Sequence, residues 1–175
     1  MTDNINSFED KKPNAPKIED EILSSRFDGE LRESALEFIA YLNANQMTPR
    51  RWFGSGFWTI PWENNNLCGI HLYGFNPRAD NNGWVFWFFS GDYSGSADEE
   101  LIKFVKDSAG HCVKCSADCK TQGVDMTLFG AEHTDMCFQF PVRIGNPDNE
   151  ALEKIKKLIE FWKEIAPRSN GLHVH

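Results

Sequence analysis

The chain has 175 residues, 41% of them hydrophobic, enough for one domain with a real core and too few for two. Eighteen basic residues against twenty-six acidic ones give a formal net charge of -8. A surface that acidic repels phosphate backbones and anionic lipid, which argues against nucleic-acid and membrane partners.

No apolar run approaches the roughly 20 residues that a membrane span needs. The opening "MTDNINSFEDKKPNAPKIED" has no apolar h-region and does not read as a secretory signal. The expected compartment is therefore the cytoplasm. Residues 1–18 are polar, carry Pro13 and Pro16, and read as a flexible tail. Residues 19–167 read as a single domain and 168–175 as a C-terminal tail.

The first element is "DGELRESALEFIAYLNANQ", Asp28 to Gln46. Leu31, Ala35, Phe38, Ile39 and Leu42 recur at helical spacing behind an Asp28 N-cap. From Arg50 to Ser90 the period changes. "RRWFGSGFWTIPW", "LCGIHLYGF" and "GWVFWFFSG" are aromatic or β-branched runs separated by "ENNN" and "NPRADNNG", the pattern of successive antiparallel strands. Gly54, Ser55 and Gly56 interrupt the first run as a bulge or a site of close approach. "WVFWFF", Trp84 to Phe89, is apolar throughout, so it belongs inside the sheet.

"SADEELIKFVKDSAG" returns to helix, with a Ser96/Glu99 capping box, a Leu101, Ile102, Val105 stripe and a stop at Gly110. "VDMTLFG" and "DMCFQFPVRI" are two more strand-like runs, split by "AEHT". The last helix lies in "NPDNEALEKIKKLIEFWKEIA", with Asn146 as its cap, Pro147 at its first position and Leu152, Ile155, Ile159, Trp162 and Ile165 as its buried stripe. Grouped strands joined by hairpins predict an α+β fold: an antiparallel sheet of about five strands, helices mainly on one face, and a cysteine-rich loop.

That loop is "HCVKCSADCK", His111 to Lys120. It packs three of the five cysteines into eight residues, and Cys137 follows on a strand-like run. Tetrahedral zinc sites take two ligands from a tight knuckle and the rest from elsewhere in the chain. Cys112 and Cys115 have the C-x2-C spacing of a knuckle, and Cys119 and Cys137 complete a set of four. His111 and His133 are substitutes for a cysteine, and Cys68 is a fifth candidate. Four protein ligands leave no open coordination position, so such a zinc is structural. The alternatives are unliganded thiols, a disulfide such as Cys112 with Cys137, and an iron–sulfur cluster. An odd count of five forbids complete pairing within the chain. A thioredoxin-like site is disfavoured because that motif opens a helix, whereas this one follows a helix end.

Together, "HCVKCSADCK", "MTLFGAEHTDMCFQF" and "IGNPDNEALEKIKKLIEFWKE" resemble the C-terminal half of small, uncharacterised bacterial proteins. Those proteins pair a three-cysteine loop with a strand cysteine and end in a helix opened by Asn-Pro-Asp. The resemblance covers roughly Leu101 to Glu164, and "SADCKTQG" departs from it by lacking a Pro-Gly after the third cysteine. It implies a bacterial origin and supports the four-cysteine site, and it implies no reaction.

Aromatic residues make up 13% of the chain and concentrate between Trp52 and Tyr93. Trp52, Trp58, Trp62, Tyr73, Trp84 and Trp87 fall on adjacent strand-like runs, where alternation sends half of the rings to each face. If helices cover one face, the other presents rings able to hold a planar or cationic ligand, or a partner. If loops cover it as well, the rings are core. No G-x-S-x-G, H-E-x-x-H, P-loop or dinucleotide fingerprint occurs. His71 and Cys68 stand three apart on one strand, on opposite faces, which argues against a nucleophile pair. Asp125, His133 and Asp135 read as solvated turn polars.

The expected function is a zinc-stapled binding module for a small molecule or a protein partner, a homodimer being one form of the latter. The alternative is a thiol-dependent or redox enzyme using Cys112, Cys115, Cys119 or Cys68.

Overall fold

The computed structural model describes residues 17–52, 56–63, 65–72, 83–88, 98–112, 123–128, 131–138 and 140–165. Among them lie four α-helices and seven strands, an α+β arrangement. The helices are α1 (Ile18–Ser24), α2 (Gly29–Ala44), α3 (Glu99–Asp107) and α4 (Asn149–Ile165). The strands β1 (Arg50–Arg51), β2 (Phe57–Trp62), β3 (Asn65–His71), β4 (Val85–Phe88) and β7 (Val142–Gly145) form a five-stranded sheet in the order β1-β2-β3-β4-β7. Every pairing in it is antiparallel. β5 (Val124–Leu128) and β6 (Ala131–Met136) form a separate two-stranded ribbon.

The helices begin where short polar side chains cap them. Asp28 accepts from the Leu31 N–H at 2.8 Å, as the sequence predicts for α2. α3 is capped by Asp98, which accepts from the Leu101 N–H at 2.8 Å. The predicted capping-box member Ser96 lies outside the described residues. α3 ends at a Ser108 C-cap, two residues before the expected Gly110 stop.

At α4 the cap is Asp148, not Asn146: Asp148 Oδ1 accepts from the Ala151 N–H at 2.8 Å. Asn146 has left-handed backbone, φ 45°. Its side chain accepts from the Trp84 N–H at 2.9 Å, and its own N–H donates to the Trp84 carbonyl at 2.8 Å. It therefore fastens the end of β7 to the entry of β4.

Register sorts the sheet's side chains into two sets. Trp58, Ile70, Phe86 and Ile144 lie across one face together with Ile60, Cys68, Phe88 and Val142. All eight are buried. Phe38 of α2 stacks on Trp84 and meets Phe86 edge-on, with centroids 5.7 and 5.6 Å apart. Trp162 of α4 stacks on Phe88 at 6.5 Å. Trp58 Nε1 donates to Glu21 of α1 at 2.9 Å. Each fully buried ring of this kind contributes about 1.5–3 kcal/mol of transfer free energy, so this face holds the centre of the core.

α1 adds Ile18 and Ile22, 2% and 0% exposed, to that core. Ile18, placed by the sequence reading in the tail, is thus a core residue. The "AEHT" segment, expected to be a break, is the first part of β6. Gly56 lies in the turn between β1 and β2 with φ 82°, and Trp52 N–H donates to the Phe57 carbonyl at 3.0 Å. The first aromatic run is thus a hairpin, not one bulged strand; Gly54 and Ser55 lie outside the described residues.

Candidate functional site

α3 delivers the chain into an extended segment that joins the two sheets. Ala109 bridges Val142 at the start of β7, and His111 bridges Met136 at the end of β6. Between these bridges the single residue Gly110 pairs with both Cys137 and Pro141. Gly110 N–H donates to the Pro141 carbonyl at 2.8 Å, and Cys137 N–H donates to the Gly110 carbonyl at 2.8 Å. One glycine thus holds both ends of the loop that follows Cys137. A side chain there would meet Arg143 Nε at 2.6 Å and the Phe140 carbonyl at 2.7 Å, which is why the position is glycine.

The same ladder brings two predicted ligands together. Cys112 N–H donates to the Asp135 carbonyl at 2.8 Å, so Cys112 stands opposite Asp135 while Cys137 stands opposite Gly110. A regular ladder would make Cys112 and Cys137 diagonal neighbours on one face, but Asp135, opposite Cys112 and two residues before Cys137, has left-handed backbone, φ 55°. Both cysteines are free and half-buried. Diagonal neighbours lie about 7–8 Å apart at Cα, beyond the usual disulfide range of about 4.4–6.8 Å. An ion adding two bonds of about 2.3 Å can bridge such a pair.

Arg143 of β7 braces the arrangement. Its Nη2 donates to the His111 carbonyl at 3.0 Å, its Nε to the Phe140 carbonyl at 3.2 Å, and its backbone N–H to the Ser108 carbonyl at 3.1 Å. His133 on β6 is buried, and its pKa is lowered by burial first and by the charges of Lys106 and His111 next. Among the described residues no three His, Cys, Asp or Glu side chains converge to hold an ion. His111 and His133 therefore do not complete a site with the two cysteines. Cys115 and Cys119 lie outside the described residues. Cys68 lies in the core, 0% exposed, and burial pushes its thiol pKa up, which suits neither ligation nor nucleophilic attack. Register sends it and His71 to opposite faces of β3.

The aromatic residues divide unevenly. Trp58, Trp84 and Trp87 are at most 1% exposed and serve as framework. Trp62 is half-buried, with the Lys163 ammonium 4.3 Å from its ring centroid. Tyr73 lies outside the described residues. Among the described predicted rings Trp52, 43% exposed, reaches solvent most, and Phe138 is 40% exposed. On the second sheet face, Trp87 sits between Trp52 at 5.8 Å and Phe140 at 4.7 Å between centroids. Its indole fills the space over Gly69. His71 stacks on Phe57 at 3.8 Å and is buried, and burial lowers its pKa to about 4. It is a neutral ring at neutral pH.

Sequence reasoning did not find Arg143, Gly110 and Phe140. Their roles depend on a register between residues some thirty positions apart, for which a single sequence carries no local signal. An open groove of about 510 Å³ between α2, α3 and α4 is lined by Tyr41, Leu101, Lys156, Glu160 and Phe161 among others. Its charges largely answer one another: Lys156 pairs with Glu153 at 2.7 Å, and Tyr41 donates to Glu160 at 3.0 Å. No helix among the described residues is long and apolar enough to cross a membrane. Comparisons with protein-family models, with curated proteins and with solved structures return no match.

Proposed function

We propose that the chain is a bacterial, cytoplasmic binding module stapled by one structural zinc. Cys112 and Cys137 supply two ligands, and Cys115 and Cys119 the other two. The observation that supports this reading is the ladder through His111 and Met136, which runs the segments carrying Cys112 and Cys137, both free and half-buried, alongside one another. A reducing compartment keeps such thiols available to metal. The zinc would tie the segment after α3 to the β5–β6 ribbon, and it would supply cross-linking rather than Lewis-acid chemistry.

Binding of a small molecule or protein partner is assigned to the rings around Trp52 on the second sheet face. Trp87 supports that surface from beneath Trp52, while Trp58 and Trp84 line the opposite, core face of the sheet. Indole and phenyl faces with Arg50 and Arg143 on the same side suit a planar, anionic ligand better than a cation, because the fixed positive charges repel the latter.

Elemental analysis with thiol titration tests the reading. One zinc per chain, with Cys112 and Cys137 protected from alkylation until a chelator is added, is the expected result. Metal-free protein with one rapidly alkylated cysteine would favour thiol catalysis instead.

A further inference from the structure

We infer that the surface at Trp52 takes one small aryl carboxylate, its ring laid on the indole and its carboxylate held by Arg50. This rests on the binding surface assigned around Trp52 and narrows it in two ways. The occupant is a free small molecule rather than a protein partner, and its anionic group meets Arg50 rather than Arg143.

Register places Arg50, Thr59, Gly69, Trp87 and Arg143 in one row across the second sheet face, with Trp52, Phe57, His71 and Val85 in the next. Thr59, His71 and Trp87 are buried, and Phe57, Val85 and Arg143 are half-buried. Among these described side chains Arg50 and Trp52 alone are exposed, and they stand two residues apart on one strand end. One indole and one guanidinium fall far short of the roughly 800 Å² that each partner contributes to a protein interface. They match a single ring system bearing one charged group. Trp52 is a firm seat for that ring. It leans on Trp87 at 5.8 Å, and Trp87 is braced by Gly69 beneath it and by Phe140 beyond it at 4.7 Å.

Charge sets the sign of the ligand. In those two rows the charged side chains are both arginines, on a chain whose net charge is -8. Arg143 already engages the His111 and Phe140 carbonyls with its guanidinium, at 3.0 and 3.2 Å. It also stands four strands from Arg50, about 19 Å away at about 4.8 Å per strand. One small ring cannot reach both, so Arg50 meets the anion. Its planar fork matches a carboxylate in two parallel hydrogen bonds. Arg51 belongs to the opposite face, over the Trp58 ring at 5.9 Å and beside Glu21 at 3.7 Å. It therefore serves as an internal control.

The test follows the indole N–H resonances of the six tryptophans in the full chain, with Trp52→Phe assigning the one that matters. The probes are 2-naphthoate, 2-naphthamide and 2-naphthylmethylammonium, one ring system with an anionic, a neutral and a cationic group. Naphthoate should shift the Trp52 resonance saturably and bind about tenfold more tightly than the amide, the size of one charge-assisted hydrogen bond at a wet site. The ammonium should bind more weakly than either. Arg50→Gln should abolish the preference for naphthoate over the amide, Arg50→Lys should keep part of it, and Arg51→Gln should leave it unchanged. The contact of Thr59 with position 50 is to the backbone carbonyl, at 3.4 Å, so it survives both Arg50 variants. An ammonium that binds at Trp52 as tightly as naphthoate, or a naphthoate preference that persists in Arg50→Gln, would overturn the assignment and leave Trp52 standing as a binding surface. A Trp52 resonance that none of the three probes moves would overturn both.

Discussion

Gly69 and Gly110 are both glycine for the same reason: in each case a neighbour occupies the space of a Cβ. At Gly69 that neighbour is the Trp87 indole, well inside contact distance of any added methyl. The ring is buried between Trp52 and Phe140 and has nowhere to retreat. Gly69→Ala should therefore destabilise the protein by about 1–3 kcal/mol, the usual cost of overpacking. Urea unfolding should show a lower midpoint with an unchanged slope.

His71 supplies a pH-dependent term. Its folded pKa, about 4, lies below the ordinary 6.5, so the unfolded chain takes up a proton that the folded chain refuses. The resulting stability is complete above pH 6.5 and is lost as pH falls toward 4. His71→Phe retains an aromatic ring beside Phe57 and removes the titration. Its stability relative to the wild type should rise steadily between pH 6.5 and 4, as read from denaturant melts at several pH values. A difference that stays constant across that range would show that His71 does not carry the term.

At the scale of elements, the two long helices were readable from periodicity. Phe38, Ile39 and Leu42 of α2, and Leu152, Ile155, Ile159 and Trp162 of α4, are buried as their spacing predicts. α1 was missed because seven residues present one full repeat, Ile18 and Ile22, too little for a period to show. The α4 cap was misread because "NPDN" offers two capping side chains in three residues. Asn146 is drawn away by the Trp84 backbone, a partner distant in sequence, and Asp148 is left to cap. Asp148→Ala should cost about 1 kcal/mol through loss of that cap. Asn146→Ala should act elsewhere, loosening the β4–β7 junction. Hydrogen exchange separates the two: faster at Ala151 and Leu152 in the first variant, faster at Trp84 in the second.

The candidate site was legible in its residue types and opaque in its geometry. Spacing alone named Cys112 and Cys137. It could not show that a single residue, Gly110, bonds to both Cys137 and Pro141. Composition likewise named the tryptophans without separating Trp87, which is framework, from Trp52, which meets solvent.

At the scale of the whole molecule, the β5–β6 ribbon enters the core through Leu128 and Met136. It is a two-stranded sheet, and two strands alone are marginal in water. Among the described residues its backbone links to the rest cluster at the His111–Met136 bridge, flanked by the Cys112–Asp135 and Cys137–Gly110 bonds. A staple there would stabilise the ribbon and the α3 junction together, and its loss should unfold both. The direct measurement is a thermal melt of the zinc-loaded chain against a chelator-treated sample verified to be metal-free. The zinc staple predicts a fall in Tm on the order of 10 °C, since metal binding free energy is folding free energy and each kcal/mol moves a domain of this size by about 2–4 °C. Coincident melts of the two samples would contradict it.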